Sequence, residues 1–492
     1  MALVLYNTLT RRKEPLEPLH KGKVGIYVCG VTVYDQSHLG HAKSAINFDV
    51  IVRWLRHRGY EVKHITNFTD VDDKIIARAN EMGTDALKLS QQMIDEYFRD
   101  MDALRVRRAT VYPKASDTIE DIVGMIQGLI AKGFAYESNG SVYFSVRKAK
   151  EYGKLSRQSL DQMQAGARIE PGEDKEDPMD FALWKAAKPG EIAWDSPWGK
   201  GRPGWHIECS AMCLKHIGKT VDIHGGGTEL IFPHHENEIL QSEAYNDAPF
   251  VKYWMHNGLL TIDQEKMSKS LKNFFLIKDI LRKYSPGTVR FYLLNAQYSQ
   301  PLDYNEKSLE EAGKALERLQ NTYDSLKTAT KSAKGTEDAE ALCSKAQKDF
   351  ENRMDDDFST REAIATMYDL SREANRLLSE GKLSPKGTQN IIDVFDVFNG
   401  IFDVIAQSMT VGTHIRLTES VTSHAEGKIE LLDPESMMGK NLTEEEIGQW
   451  VARRDLARKE KNFVYADRVR KVLADMGIEI QDVQGATKWS RR

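Results

Sequence analysis

Cysteine is scarce in this chain: Cys29, Cys209, Cys213 and Cys343 are four residues in 492. So few thiols, so far apart, exclude a disulfide framework and point to a reducing compartment, while leaving each sulfur available as a metal ligand. Long apolar runs are missing too, since no stretch approaches the ~18 consecutive apolar residues of a membrane span. The first residues, Met1 to Lys13, carry neither a sustained apolar core nor a small-residue cleavage site. No secretory leader is therefore expected, and the expected location is cytoplasmic, with no membrane partner. Excess positive charge is also absent. With 68 Lys and Arg against 73 Asp and Glu, the formal net charge is -5, which excludes a protein whose whole surface grips nucleic acid and leaves room only for a local basic patch. Neither internal repeats nor low-complexity tracts occur.

What is present has a clear order. The length suits about three domains. Gly25-Ile-Tyr-Val-Cys-Gly30 is short, apolar and β-branched, and reads as a buried strand. From Ser37, taken as a helix cap, apolar positions 45, 48, 51, 52 and 55 follow helical spacing as far as Gly59, and Glu61 to Ile65 resumes as strand. Strand, helix and strand within about forty residues predict an α/β fold, a doubly wound parallel sheet of Rossmann-like type, with a nucleotide at the strand ends.

This catalytic domain is expected over residues 1–285, with a less regular insertion near 115–200 that includes the exposed acid-rich segment Glu170 to Pro178. Beyond Pro286 the pattern is helical almost throughout. It predicts a helical bundle domain over 286–407, a linker over 408–440 and a small carboxyl-terminal domain over 441–492, opened by the capping box Thr443-Glu-Glu-Glu446. Residues 451–492 hold eleven Lys or Arg against six Asp or Glu, which predicts a local anionic partner.

Three constellations carry chemistry. Ser37-His-Leu-Gly-His41 follows a strand and opens a helix, so His38 and His41 share one face at the helix's positive end, where backbone N–H groups attract phosphate. Gly40 leaves the backbone open to ribose or adenine. A histidine pair at a helix start can equally do no more than cap or pack. Lys266-Met-Ser-Lys-Ser270 follows the apolar run from His256 to Ile262. Its two ammonium groups suit a phosphate clamp, although lysines in a surface loop are ordinary. Finally, His234 and Glu238 share a helix face after Pro233, and Cys29 and Cys209 can converge on it. Two sulfurs, one imidazole and one carboxylate make a reasonable zinc site; buried thiols without metal explain the same cysteines as well.

In this order across a βαβ unit, the first two motifs resemble the HIGH and KMSKS signatures of class I aminoacyl-tRNA synthetases. A longer resemblance is to the cysteinyl-tRNA synthetase family. It is carried by Val28-Cys-Gly-Val-Thr-Val-Tyr34, Asn67-Phe-Thr-Asp-Val-Asp-Asp-Lys74, Gly204-Trp-His-Ile-Glu-Cys209, His224-Gly-Gly-Gly227 and Phe232-Pro-His-His-Glu-Asn-Glu238. The resemblance implies ATP-dependent activation of L-cysteine to cysteinyl-adenylate, with Mg2+ on the ATP, and transfer to the 3′ end of tRNA(Cys). It implies His38 and His41 at the phosphorus-centred transition state, Lys266 and Lys269 at the leaving pyrophosphate, and Gly40 and Ser268 among the ATP contacts.

The same resemblance implies one Zn2+ per chain on Cys29, Cys209, His234 and Glu238, a cysteine pocket of Cys29, Thr69, Trp205 and His224, and no ligand role for Cys213 or Cys343. The metal has a physical purpose. Shape alone rejects a close analogue by only ~10–200-fold, whereas protein synthesis needs roughly 10⁴–10⁵, and a cysteine thiolate, as a fifth ligand, bonds zinc where serine's alcohol does so poorly. At the far end, the basic helix Ala457 to Lys471 and Gly485-Ala-Thr-Lys-Trp-Ser-Arg-Arg492 resemble the family's anticodon reader. That likeness implies base stacking on an exposed Trp489, with charge from Arg491 and Arg492. A monomer is implied as well.

Two positions depart from the family pattern, Glu229 where aspartate is usual and Lys272 where glycine commonly follows the second motif. Two other readings stay open. A related cysteine ligase that transfers to an amino sugar lacks this terminal extension, and the intact motifs speak against a catalytically silent RNA-binding or zinc-binding paralogue.

Overall fold

The computed structural model describes residues 2–149, 151–158, 175–262, 265–266, 275–406, 409–410, 433–437, 442–459, 462–483 and 486–491. Ser268, Lys269, Lys272, Gly485, Arg492, most of Glu170 to Pro178 and most of the expected linker lie outside the described residues, and for Lys266 and Arg491 only the backbone is described.

Strand β1 (Lys23–Thr32), helix α1 (Leu39–His57) and strand β2 (Glu61–Thr69) form the expected βαβ unit. Helix α2 (Trp205–His216), strand β3 (Val221–Gly227), helix α3 (Glu236–Asn246) and strand β4 (Val251–Asn257) complete a four-stranded sheet in the order β4-β3-β1-β2, parallel throughout. Side chains alternate between the two faces of a strand. Val24, Ile26 and Val28 therefore pack with the apolar residues of α1, whereas Tyr27 and Cys29 join Cys209 and Met212 of α2 on the opposite face. Chain order reverses between β1 and β3, which makes the crevice at their carboxyl ends the expected ligand site of such a sheet. At that end β1 shifts register against β2 between Val28 and Val31. Gly30 is required there, because a Cβ would lie 1.7 Å from the Asn67 carbonyl oxygen.

Several elements differ from the sequence reading. The cap of α1 is His38, not Ser37; the Ser37 carbonyl is instead engaged by Ile277 N–H. Strand β2 continues beyond Ile65 to Thr69, because Phe68 and Thr69 re-pair with Val31 and Thr32 after the register shift. The insertion that looks irregular in sequence carries an antiparallel sheet of Ala135–Ser138, Ser141–Phe144, Phe181–Ala186 and Gly201–Pro203, with its own apolar core. Its strands have three to six residues, too few to impose a readable period.

The helices Glu306–Ala329, Glu340–Asp355, Thr360–Ser379 and Pro385–Phe402 share one continuous core with α1. The bundle is thus buttressed on the sheet rather than packed apart from it. At the carboxyl-terminal end, helices Glu444–Lys459 and Phe463–Asp475 cover an antiparallel ladder of Ile478–Val483 and Ala486–Arg491, with Met409–Thr410 on its edge. Among the described residues no helix is long and apolar enough to cross a membrane.

Candidate active site and metal centre

The crevice at the switch point is a cleft of 330 Å³ whose lining includes Cys29, His38, Gly40, His41, Trp205, Glu229 and the segment Asn257 to Leu260. Behind Cys29 lies a donor set built by three segments distant in sequence. The Sγ of Cys29 stands 3.7 Å from Cys209 Sγ, 3.5 Å from His234 Nε2 and 3.4 Å from Glu238 Oε1, and His234 Nε2 is 2.9 Å from Glu238 Oε1. All four side chains are buried, and their donor atoms lie within 4.8 Å of one another.

Zinc with Zn–S of about 2.3 Å and Zn–N of about 2.0 Å has tetrahedral edges of roughly 3.3–3.8 Å. The three distances from Cys29 fall in that range, and the shorter His234–Glu238 edge is that of a hydrogen bond. The donor set also fits by chemistry. Burial and the neighbouring sulfur push Cys29 well above a free thiol, its S–H donated to Cys209 draws Cys209 down to about 7, and burial raises Glu238 well above the carboxylate range. Glu238 Oε2 has no hydrogen-bond partner. A bound dication resolves each of these costs at once, holding both sulfurs as thiolates and Glu238 as an anion.

A second, overlapping donor set consists of Cys29, His224, His235 and Glu238. His224 Nε2 lies 3.5 Å and His235 Nε2 3.3 Å from Cys29 Sγ. Burial holds His206, His224 and His235 well below the usual imidazole range, as neutral rings. Only the set with both cysteines offers two sulfurs, the softer combination that suits zinc. His235 went unnoticed in the sequence because an adjacent histidine pair gives no sign of which ring turns inward. Cys213 Sγ is 4.0 Å from His224 Nδ1 and belongs to neither set, and Cys343 is buried in the helix Glu340–Asp355.

Of the other residues expected in the cysteine pocket, Trp205 and His224 touch this centre. Trp205, 36% exposed, stacks on His234 with ring centroids 4.1 Å apart. Thr69 is buried one strand away and donates its hydroxyl to Glu208 Oε2 at 3.0 Å. His224 sits on β3 beside Tyr27 of β1, on the face that carries Cys29.

At the nucleotide end, His38 Nδ1 accepts from Gly40 N–H at 3.1 Å, and His41 Nδ1 accepts from His38 N–H at 3.4 Å. The rings stack at 3.7 Å. Because both Nδ1 atoms act as acceptors, the ring proton of each imidazole lies on Nε2. The second nucleotide motif is reached by the ladder Leu260–Ile262 and Glu265–Lys266.

In the carboxyl-terminal unit the expectation for Trp489 is corrected. The residue is 5% exposed, within the core formed by Ile447, Val451, Leu473 and Ile480. It lies on a strand whose alternation places it on the same inward face as buried Thr487. It therefore offers no face to a base. The exposed aromatic of this unit is Phe463, at 56%, on the first turn of the helix that carries Arg468, Arg470 and Lys471.

An all-parallel sheet with paired histidines at a switch-point helix is the architecture of a class I aminoacyl-tRNA synthetase, and residues 15–314 match the family of tRNA synthetases class I (C) catalytic domains. Residues 349–405 match the DALR domain. The chain is 49% identical over 492 residues to a cysteine–tRNA ligase of Geobacillus sp., covering 99% of each, and 47% identical to that of Anoxybacillus flavithermus, covering 100% of each. It belongs to the cysteine–tRNA ligase family. In fold it also matches a Mycobacterium tuberculosis methionyl-tRNA synthetase bound by methionyl-adenylate (TM-score 0.58, 16% identity, 79% of this chain and 92% of that one). A leucyl-tRNA synthetase of Agrobacterium radiobacter in a ternary complex with tRNA gives a TM-score of 0.57 at 12% identity, over 79% of this chain and 85% of that one.

Proposed function

We propose that this chain uses ATP to activate L-cysteine as cysteinyl-adenylate and transfers it to the 3′ end of tRNA(Cys). The observation that carries the reading is the buried set Cys29, Cys209, His234 and Glu238, whose Cys29 lines the same cleft as His38 and His41. The cysteine carboxylate attacks the α-phosphorus, pyrophosphate leaves with Mg2+, and the terminal ribose hydroxyl of the tRNA then displaces AMP from the carbonyl carbon. His38 and His41 donate from Nε2 to the phosphoryl oxygens as charge develops there. Lys266, Ser268 and Lys269 hold the β- and γ-phosphates, and Gly40 keeps the nucleotide's path open. Thr69, Trp205 and His224 orient the amino acid over this donor set, with Thr69 toward its ammonium. When bound, one zinc ion per chain supplies a partner that prefers cysteine's thiolate to serine's alcohol.

The unit at the carboxyl-terminal end supports tRNA over an amino sugar as acceptor. Phe463 takes the stacking role there, with Arg470, Lys471 and Arg491 supplying phosphate contacts. Four free thiols suit a cytoplasmic protein, and we read the enzyme as a monomer. Cysteine-dependent exchange of pyrophosphate into ATP, unsupported by serine and followed by charging of tRNA with the cysteine anticodon, is the test; a purified enzyme that charges another amino acid ends the reading.

A further inference from the structure

We infer that Lys43 is a positioning residue for ATP, fixing one wall of the nucleotide cleft against His38 and His41. The inference rests on the adenylate-forming reading above. Lys43 lies two residues beyond His41 on α1, is 1% exposed and among the described residues makes no ion pair. Its ammonium donates to the carbonyls of Gly258 at 2.5 Å, Gln300 at 3.1 Å and Tyr298 at 3.2 Å. A lysine ammonium has three donors and no acceptor, so none is left for a ligand. Lys43 acts through what it holds.

What it holds is the wall. Asn257, Gly258, Leu259 and Leu260 line the same cleft as the two histidines, and Ser44 Oγ donates to Asn257 Oδ1 at 3.1 Å in support of the same grip. A Cβ on Gly258 would lie 2.2 Å from the Gln300 carbonyl carbon, so two backbones cross there in contact, with Lys43 at the crossing. From that root Leu260–Ile262 pairs with Leu302–Tyr304 and with Glu265–Lys266. Beyond the second motif, Leu39 N–H donates to the Phe275 carbonyl and Ile277 N–H to the Ser37 carbonyl, each at 3.1 Å. Helix α1 therefore grips the chain on both sides of Lys266-Met-Ser-Lys-Ser270. Burial lowers the Lys43 ammonium to about 8, partly countered by Glu229, so the charge is present at neutral pH. Three carbonyls converging on one point suit a compact ammonium better than a planar guanidinium.

The test is cysteine-dependent pyrophosphate exchange with the full-length, zinc-loaded chain. Lys43→Met should lower kcat/KM for ATP roughly 100-fold, the cost of misplacing a wall by about 1 Å, with the KM for cysteine, zinc per chain and folded fraction unchanged. Lys43→Arg should fall between it and the wild type. Ser44→Ala should shift the KM for ATP in the same direction by less, and it carries the test if Lys43→Met does not fold. ATP kinetics within about twofold of wild type in the folded variant that carries the test overturn the inference, as does a loss shared equally by ATP, cysteine and zinc. A wild-type chain without cysteine-dependent exchange fails the proposed function itself, which separates the two failures.

Discussion

The donor set around Cys29 and the carboxyl-terminal unit treat polar side chains in opposite ways. In the donor set, polar side chains are taken out of water. Glu238 and His224 are fully buried and His234 nearly so, and each keeps its place because other donors converge on it. In the carboxyl-terminal unit Arg454 is buried, but Arg468 and Arg470 stay exposed around a small apolar core that takes in Trp489. Discrimination between a thiol and an alcohol needs a dry, preassembled donor set, whereas gripping a polyanion needs charge that water can reach. Burial is therefore a property that separates the two regions.

The largest test of this contrast is Cys209→Ser. In pyrophosphate exchange the preference for cysteine over serine should fall from the roughly 10⁴–10⁵ that protein synthesis requires toward the ~10–200-fold of shape alone, and zinc per chain should fall with it; unchanged values for both remove Cys209 from the metal site. His41→Ala should cost roughly 10²–10³ in exchange rate and slow tRNA charging as much. Deleting residues 441–492, by contrast, should weaken charging and spare exchange, and equal losses would break the division between the two regions.

Within the terminal unit, Phe463→Ala should raise the KM for tRNA by about 5- to 150-fold, the equivalent of ~1–3 kcal/mol for one stacked base, and leave thermal stability alone. Trp489→Ala should instead destabilise the unit by about 3–5 kcal/mol, as loss of a buried aromatic does. A reversed pair of outcomes would restore Trp489 to the surface.

The smallest effect at neutral pH concerns β2. Burial lowers His64 to about 4, so between pH ~6.5 and ~4 the unfolded chain binds a proton that the folded one refuses. Its contribution is complete above that window and is lost as pH falls through it, by up to ~3 kcal/mol. Residues 441–492 contain no histidine. Acid titration followed by circular dichroism should therefore show a slope that His64→Gln flattens in the full chain.

Much of the fold was legible where elements are long and periodic. The β1-α1-β2 unit, the helices beyond Pro286 and the capping box at Thr443, where Thr443 Oγ1 and Glu446 Oε2 exchange hydrogen bonds with each other's backbone N–H, follow the sequence pattern. The insertion's strands did not show, being short and paired across long gaps. At the site, the residues that the family resemblance implies as zinc ligands do converge, yet no spacing rule links Cys29 to Cys209. Their meeting depends on strand alternation turning Cys29 toward α2.

By itself the sequence determined the period of each long element, the low thiol count, the charge asymmetry of the last forty or so residues and the motifs that carry the family likeness. These are local properties, written in neighbouring residues. Only the tertiary structure decided which imidazoles stand beside the sulfurs, that Trp489 faces inward while Phe463 faces out, and that Lys43 closes on three carbonyls from two distant segments. Burial and convergence depend on which elements pack together, and no local pattern encodes that.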